Sequence, residues 1–222
     1  MLITTRLGRT VEVGEDYTVD QNWDAFTEEE HDRWDRLYAR QGKTLQGRAC
    51  KEFIEGLELL SLSDGGIPNF AKLSEKLLKA TGWQVVAVPD LVPDDGFFNH
   101  LANRRFPAGN FIRSEAQLDY IQEPDVFHDV YGHVPMLANP VFADYMEAYG
   151  KGGQRASGRG VLQNLARLYW YTVEFGLIKT DEGMRIYGAG IVSSKSESTF
   201  SLEDDSPNRI HFDLQRLMKT DY

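Results

Sequence analysis

The chain has one cysteine, Cys50, among 222 residues. A lone thiol closes no internal disulfide, so the expected compartment is reducing, and the cytoplasm is the simplest one. No apolar stretch approaches the roughly 18 residues that a membrane-spanning helix needs. The opening MLITTRLGRT lacks the basic-then-apolar layout of a secretory leader. Positive charge is in deficit: 24 Lys and Arg stand against 34 Asp and Glu, a formal charge of −10. Nucleic acid and anionic membrane surfaces are therefore poor partners, and solubility accounts for the acidic balance. Internal repeats, low-complexity tracts and a dividing linker are also lacking. The expectation is one domain over 1–222, long enough for a substantial core.

What is present reads as mostly α with a few short β-strands. Residues 1–22 look extended and weakly patterned. FTEEEHDRWDRLYARQ opens with a Thr27-x-x-Glu30 capping box and continues with helical spacing at Trp34, Leu37 and Tyr38. CKEFIEGLELLSL and IPNFAKLSEKLLKATG predict two further helices, the second stopping at Gly82. WQVVAVP predicts a short strand, VPDDGFFNHLANRRF a helix with Pro93 near its start, and GNFIR another strand. Asn139 and Pro140 begin a helix as N-cap and first residue. VLQNLARLYWYTVEFGL predicts a longer helix, and IKTDEGMRIYGAGIVSS a hairpin around Asp181-Glu182-Gly183.

Two of the five histidines, His128 and His133, lie five residues apart in EPDVFHDVYGHVP. Pro124 suits the first turn of a helix. On a regular α-helix a spacing of five leaves the side chains roughly 140° apart. The zinc-protease pattern H-E-x-x-H uses four, so it is not matched. For both rings to reach one ion the helix must be distorted, as in a bulged turn, and Gly132 and Pro135 permit that. Two unrelated helix histidines remain the alternative.

A third residue bears on the choice. In LYWYTVEFGL only Thr172, Glu174 and Gly176 are not apolar or aromatic. A helix apolar nearly all round is expected to be buried. A glutamate inside it needs a cationic partner. Arg167 or Arg104 could supply one, and so could a metal shared with the histidines. Two histidines and a carboxylate form the facial ligand set of non-haem Fe(II) oxygenases, while zinc with the same set remains chemically possible.

The segments NRRFPAGNFIRSEAQLDYIQEPDVFHDVYGHVPML, LYWYTVEFGL and YGAGIVSS resemble the pterin-dependent aromatic amino acid hydroxylases, most of all their bacterial single-domain phenylalanine-hydroxylating branch. The likeness runs over roughly 15–222 and is dense across 80–200. It implies the catalytic-domain fold of that family. It implies an Fe(II)- and tetrahydropterin-dependent monooxygenase that converts L-phenylalanine to L-tyrosine with O2, tetrahydrobiopterin or a related tetrahydropterin being the cofactor. His128, His133 and Glu174 fall at the iron-ligand positions. Phe97 falls where an aromatic ring stacks on the pterin, with Val92 and Asp94 in the loop around it and Asp129 facing its side. Arg113 falls at the residue that binds the substrate carboxylate, with Asp125 orienting it. Tyr120, Ile121, Pro124 and Trp170 would line the amino acid pocket, and Ser193 would support the first histidine.

Relatives continue for some tens of residues past FDLQRLMKTDY. The resemblance also implies neither a regulatory domain nor a tetramerising helix within this chain, so a monomer is expected. Tryptophan hydroxylation by the same ligand set, a metal-binding but inactive relative, and a zinc hydrolase remain the alternatives.

Overall fold

The structure, a computed structural model, describes residues 1–5, 8 and 10–221. The expectation of an extended N-terminus takes in Arg6, Leu7 and Arg9, which lie outside the described residues, as does Tyr222. Around them β1 (Leu2–Thr4) pairs antiparallel with β2 (Thr10–Glu12).

Local chemistry sets the helix starts. Helix α1 (Glu28–Thr44) begins with the expected box: Glu30 N donates to Thr27 Oγ1 at 3.3 Å, and Thr27 N donates to Glu30 Oε2 at 2.8 Å. After α2 (Lys51–Leu59), Asn69 caps α3 (Phe70–Thr81) by accepting from Ala71 N and Lys72 N. Strand β3 (Gln84–Val88) pairs in parallel with β4 (Arg105–Gly109), and α4 (Asp94–Ala102) makes the crossover that parallel strands require. The predicted strand GNFIR is thus displaced: the strand is RFPAG and ends at Gly109. Pro107 stands opposite Val86 within it, and each strand of a two-stranded sheet keeps an open edge where proline is tolerated.

Beyond β4 the chain makes one 3-10 turn and then enters a π-helical segment, Phe127–His133, continued by α5 (Val134–Leu137). Helix α6 (Pro140–Ser157) is capped by Asn139. Helix α7 (Leu162–Tyr169) runs into a second π-helical segment, Trp170–Glu174. The hairpin β5 (Leu177–Thr180) and β6 (Gly183–Ile186) turns at Asp181-Glu182. Three helices follow: α8 (Ala189–Val192), α9 (Lys195–Glu203) and α10 (Leu214–Leu217).

The first π segment sits at the centre of the core. Phe127 and Tyr131 stack with centroids 4.7 Å apart, and Trp34 of α1 meets Phe127 edge-on at 5.3 Å. Tyr38 and Phe53 meet Tyr131 edge-on. Burying one such ring contributes about 1.5–3 kcal/mol, and a well-placed ring pair adds about 0.5–1.5 kcal/mol. Gln41 Nε2 donates to Val192 O at 2.6 Å, which ties α1 to α8. Among the described residues, no helix is long and apolar enough to cross a membrane.

One expectation needs correcting. The helix ending at Glu174 is not buried all round: α7 has no fully buried residue, and Trp170 is 38% exposed. Leu162, Ala166, Tyr169 and Trp170 border an open cavity on one side, while Leu165, Leu168 and Val173 pack on the core.

Candidate metal centre

Regular α-winding cannot bring positions 128 and 133 to one face. Here the backbone closes i→i+5 turns, so side chains five residues apart lie on successive turns. Gly132 assists, though not by an unusual φ: a Cβ there would stand 2.9 Å from Ala189 O, so the glycine lets α8 pack directly on the π segment. Glu174 ends the second π segment. Gly190 of α8 leaves room for its carboxylate, since a Cβ would lie 3.0 Å from Glu174 Oε2.

These three elements converge. His133 Nε2 lies 3.0 Å from Glu174 Oε1, His128 Nε2 lies 3.7 Å from Glu174 Oε2, and the two Nε2 atoms are 3.3 Å apart. Among the described residues this is the group of His, Cys, Asp and Glu side chains able to hold an ion, with all donors within 4.8 Å of one another. Arg104 and Arg167, the alternative partners of Glu174, are engaged elsewhere: Arg104 with Asp144 and Glu147, Arg167 with Asp221. The reading of two unrelated helix histidines fails with them.

The far ring nitrogens meet hydroxyls. Ser193 Oγ donates to Ala189 O at 2.7 Å, so it accepts from His128 Nδ1 at 3.1 Å, which leaves the His128 Nε2 lone pair free. His133 Nδ1 faces Tyr169 Oη at 3.4 Å. Electrostatics agree. Burial alone would push His128 down, but Glu174, with Asp129 and Asp125 behind it, raises it to about 9. Burial would push Glu174 up, but His133 and His128 hold it well below the carboxylate range. Two imidazoles and a carboxylate facing one another, with their outer atoms fixed, suit a divalent cation that takes nitrogen and oxygen ligands.

The centre opens into a cavity of about 970 Å³. Val92, Asp94, Phe97 and Asp129 line it, and Asp129 Oδ2 accepts from Gly109 N at 2.7 Å. Burial raises the Asp129 pKa against the pull of His128. Arg113, Tyr120, Ile121, Pro124, Trp170 and Ser193 also line it. Asp125 is fully buried beneath the cavity. Arg113 Nε and Nη2 donate to its two oxygens, each at 2.8 Å, and His128 N donates to Asp125 Oδ1 at 3.0 Å. One carboxylate therefore orients the arginine and caps the turn that carries the first histidine. The structure brings every sequence-predicted site residue to this cavity or its floor.

Two neighbours escaped the sequence reading. Tyr169 stands against both His133 (5.9 Å between centroids) and Phe97 (5.7 Å), and Phe106 lies over His133 at 5.1 Å. Tyr169 is five residues before Glu174, the spacing that separates the histidines, and that recurrence was a usable signal.

A family profile described as biopterin-dependent aromatic amino acid hydroxylase matches residues 10–222. The chain is 66% identical over 207 residues to a phenylalanine-4-hydroxylase of Caulobacter vibrioides, covering 93% of this chain and 70% of that protein. It is 62% identical over 207 residues to one of Chromobacterium violaceum, again covering 93% and 70%. In three dimensions it is similar to the C. violaceum phenylalanine hydroxylase with iron and phenylalanine bound (TM-score 0.90, 60% identity, covering 94% of this chain and 76% of that one). It is also similar to that protein with iron(III) and 7,8-dihydrobiopterin bound (TM-score 0.93, 61% identity, covering 96% and 78%).

Proposed function

Because the chain belongs to the biopterin-dependent aromatic amino acid hydroxylase family, we propose that it is a phenylalanine 4-monooxygenase, converting L-phenylalanine to L-tyrosine with O2 and a tetrahydropterin. The observation that carries the reading is the meeting of His128 Nε2, His133 Nε2 and the Glu174 carboxylate at the end of a cavity large enough for two small molecules. These three residues would hold Fe(II), leaving other coordination positions open. Bound there, Fe(II) would activate O2 and the tetrahydropterin would supply two electrons, one oxygen atom going to the aromatic ring and the other leaving on the pterin.

The chain's own residues do the rest. Arg113, its Nε and Nη2 held by Asp125, has its Nη1 edge left to grip the substrate carboxylate. Tyr120, Ile121, Pro124 and Trp170 flank the substrate ring, Trp170 held by Phe175 at 4.7 Å. Phe97 offers its ring to the pterin, Val92 and Asp94 border that ligand, and Asp129 faces it with one oxygen already fixed by Gly109 N. Ser193 keeps the His128 proton on Nδ1. With His133 Nε2 as ligand, its Nδ1–H points to the Tyr169 oxygen. In this reading the protein works as a cytoplasmic monomer, and its acidic balance disfavours nucleic acid and anionic membrane surfaces as partners.

The test compares phenylalanine, tyrosine and tryptophan under saturating tetrahydropterin. Phenylalanine gives the highest kcat/KM, and tryptophan is a poor but detectable substrate. A higher kcat/KM for tryptophan transfers the chain to the other branch of the family.

A further inference from the structure

One wall of the cavity is a loop with few anchors. Between Arg113 and Asp125 the chain leaves the core and returns, and Tyr120, Ile121, Glu123 and Pro124 of this stretch face the cavity. Most of the loop is exposed, Tyr120 by 77%. Its one turn is closed locally, Ser114 Oγ donating to Gln117 Oε1 at 2.8 Å, and that bond ties the loop only to itself. The polar bonds found from 114–123 to the rest of the described chain end on two residues of α1, one turn apart. Arg36 forks onto Glu115, with Nη1–Oε1 at 2.9 Å and Nη2–Oε2 at 2.5 Å, and is itself steadied by Asp32 at 2.9 Å. Arg40 donates to Asp119 Oδ1 at 2.6 Å and to Leu118 O at 2.8 Å. On its other face α1 is fixed in the core by Trp34 and Leu37.

We propose that Arg36 and Arg40 are positioning residues for the amino acid substrate: from a rigid helix they hold the 114–124 loop against the cavity, so that substrate meets a formed wall beside Arg113. The proposal rests on the reading that this cavity takes an aromatic amino acid. Neither arginine lines the cavity; both act through the loop. The Arg36 and Glu115 side chains are about half exposed (45% and 63%). Such pairs are individually weak and screened by salt, so the loop opens and closes, and apparent affinity follows the closed fraction. A buried clamp would have fixed the wall permanently. One exposed fork, from Arg36, and the two bonds of the partly buried Arg40 leave it able to admit substrate and then settle.

The experiment uses the full chain with Arg36→Ala, Arg40→Ala and the double substitution. Phenylalanine affinity is read by Trp170 fluorescence in metal-free protein, and KM in iron-loaded protein. Backbone hydrogen exchange reads the loop directly. In the double variant the phenylalanine Kd and KM rise about three- to tenfold with the loss of closed fraction. The pterin KM and kcat at saturating substrate stay within about twofold, and exchange quickens over 114–124. Salt raised from about 20 mM to about 0.5 M shortens the screening length severalfold; it shifts wild-type affinity the same way and leaves the double variant flat. The reversed pair Arg36→Glu with Glu115→Arg recovers at least part of the loss. Unchanged exchange over 114–124, or a pterin KM that rises in step with that for phenylalanine, overturns the proposal. A chain that binds phenylalanine yet makes no tyrosine refutes the functional reading and leaves this test intact.

Discussion

Glu174 carries the most consequence of any single residue. It is the negative member of a cluster whose other two members are imidazoles, and it holds His128 raised to about 9. Glu174→Ala removes that charge together with the reason for binding a cation there. Iron binding is expected to fall by orders of magnitude while the circular dichroism of the fold is retained; stoichiometric iron in the variant, measured by metal analysis, would refute the ligand assignment. Ser193→Ala acts one step further out. It deletes the acceptor that fixes the His128 ring, and metal affinity should drop about 10–100-fold, read by competition with a chelator. At this scale much of the site was legible in the sequence. A glutamate amid aromatic residues and two histidines near a glycine and a proline already posed the question of a shared cation. Phe106 was not legible, because an aromatic residue in an apolar run looks the same whether it packs in a core or lines a metal site; Tyr169 left one signal, its five-residue spacing from Glu174.

At the scale of elements, the π turns decide the outcome. The five-residue spacing made a distorted helix the condition for a shared ion, and the structure has one at Phe127–His133. The second, at Trp170–Glu174, went unpredicted because a lone glutamate carries no spacing against which a twist could be judged. Strand β4 was misplaced by a few residues because its first two residues were read as the end of the preceding helix. Gly132→Ala tests the packing of α8 on the first π turn. Its Cβ would stand 2.9 Å from a backbone oxygen that cannot easily yield. Overpacking of that kind costs about 1–3 kcal/mol, and by moving α8 it also displaces Ser193. Both a lower Tm and weaker metal binding are expected; a Tm equal to wild type would contradict the close contact. A second element, the segment between β2 and α1, is pinned to β4 by Asp16, which accepts from Thr18 Oγ1 at 2.6 Å and from Arg105 Nη2 at 2.7 Å. The Thr18 bond, with Arg105, holds its carboxyl far below the usual range despite some burial. Its folded pKa lies below its unfolded one, near 3.9, so its contribution is full above that value and declines as pH falls through the acid range. Asp16→Asn should therefore lower the Tm at pH 7 and converge with wild type in acid; a gap that widens on acidification would reverse the sign.

For the whole molecule, one aromatic core supports the π segments from beneath, and the cavity opens above them between the stretch around Val92 and the loop around Tyr120. The mostly helical character was legible from periodicity and capping. The cavity was not, because apolar residues that border an open space and those that fill a core give the same pattern, as the helix ending at Glu174 shows. An apolar pocket rejects an added hydroxyl only weakly, by a factor on the order of a hundred. Tyrosine should thus compete measurably with phenylalanine, while the bulk of an indole is resisted by volume. The central claim is that His128, His133 and Glu174 hold one iron at which O2, pterin and phenylalanine react. Its most direct test is a single turnover: anaerobically iron-loaded wild type and Glu174→Ala, each mixed with phenylalanine, tetrahydropterin and O2, with tyrosine and oxidised pterin measured together. The account predicts one tyrosine for each pterin oxidised by the wild type and none from the variant. Wild-type protein that consumes neither pterin nor O2, or a variant that forms tyrosine at the wild-type rate, would contradict it.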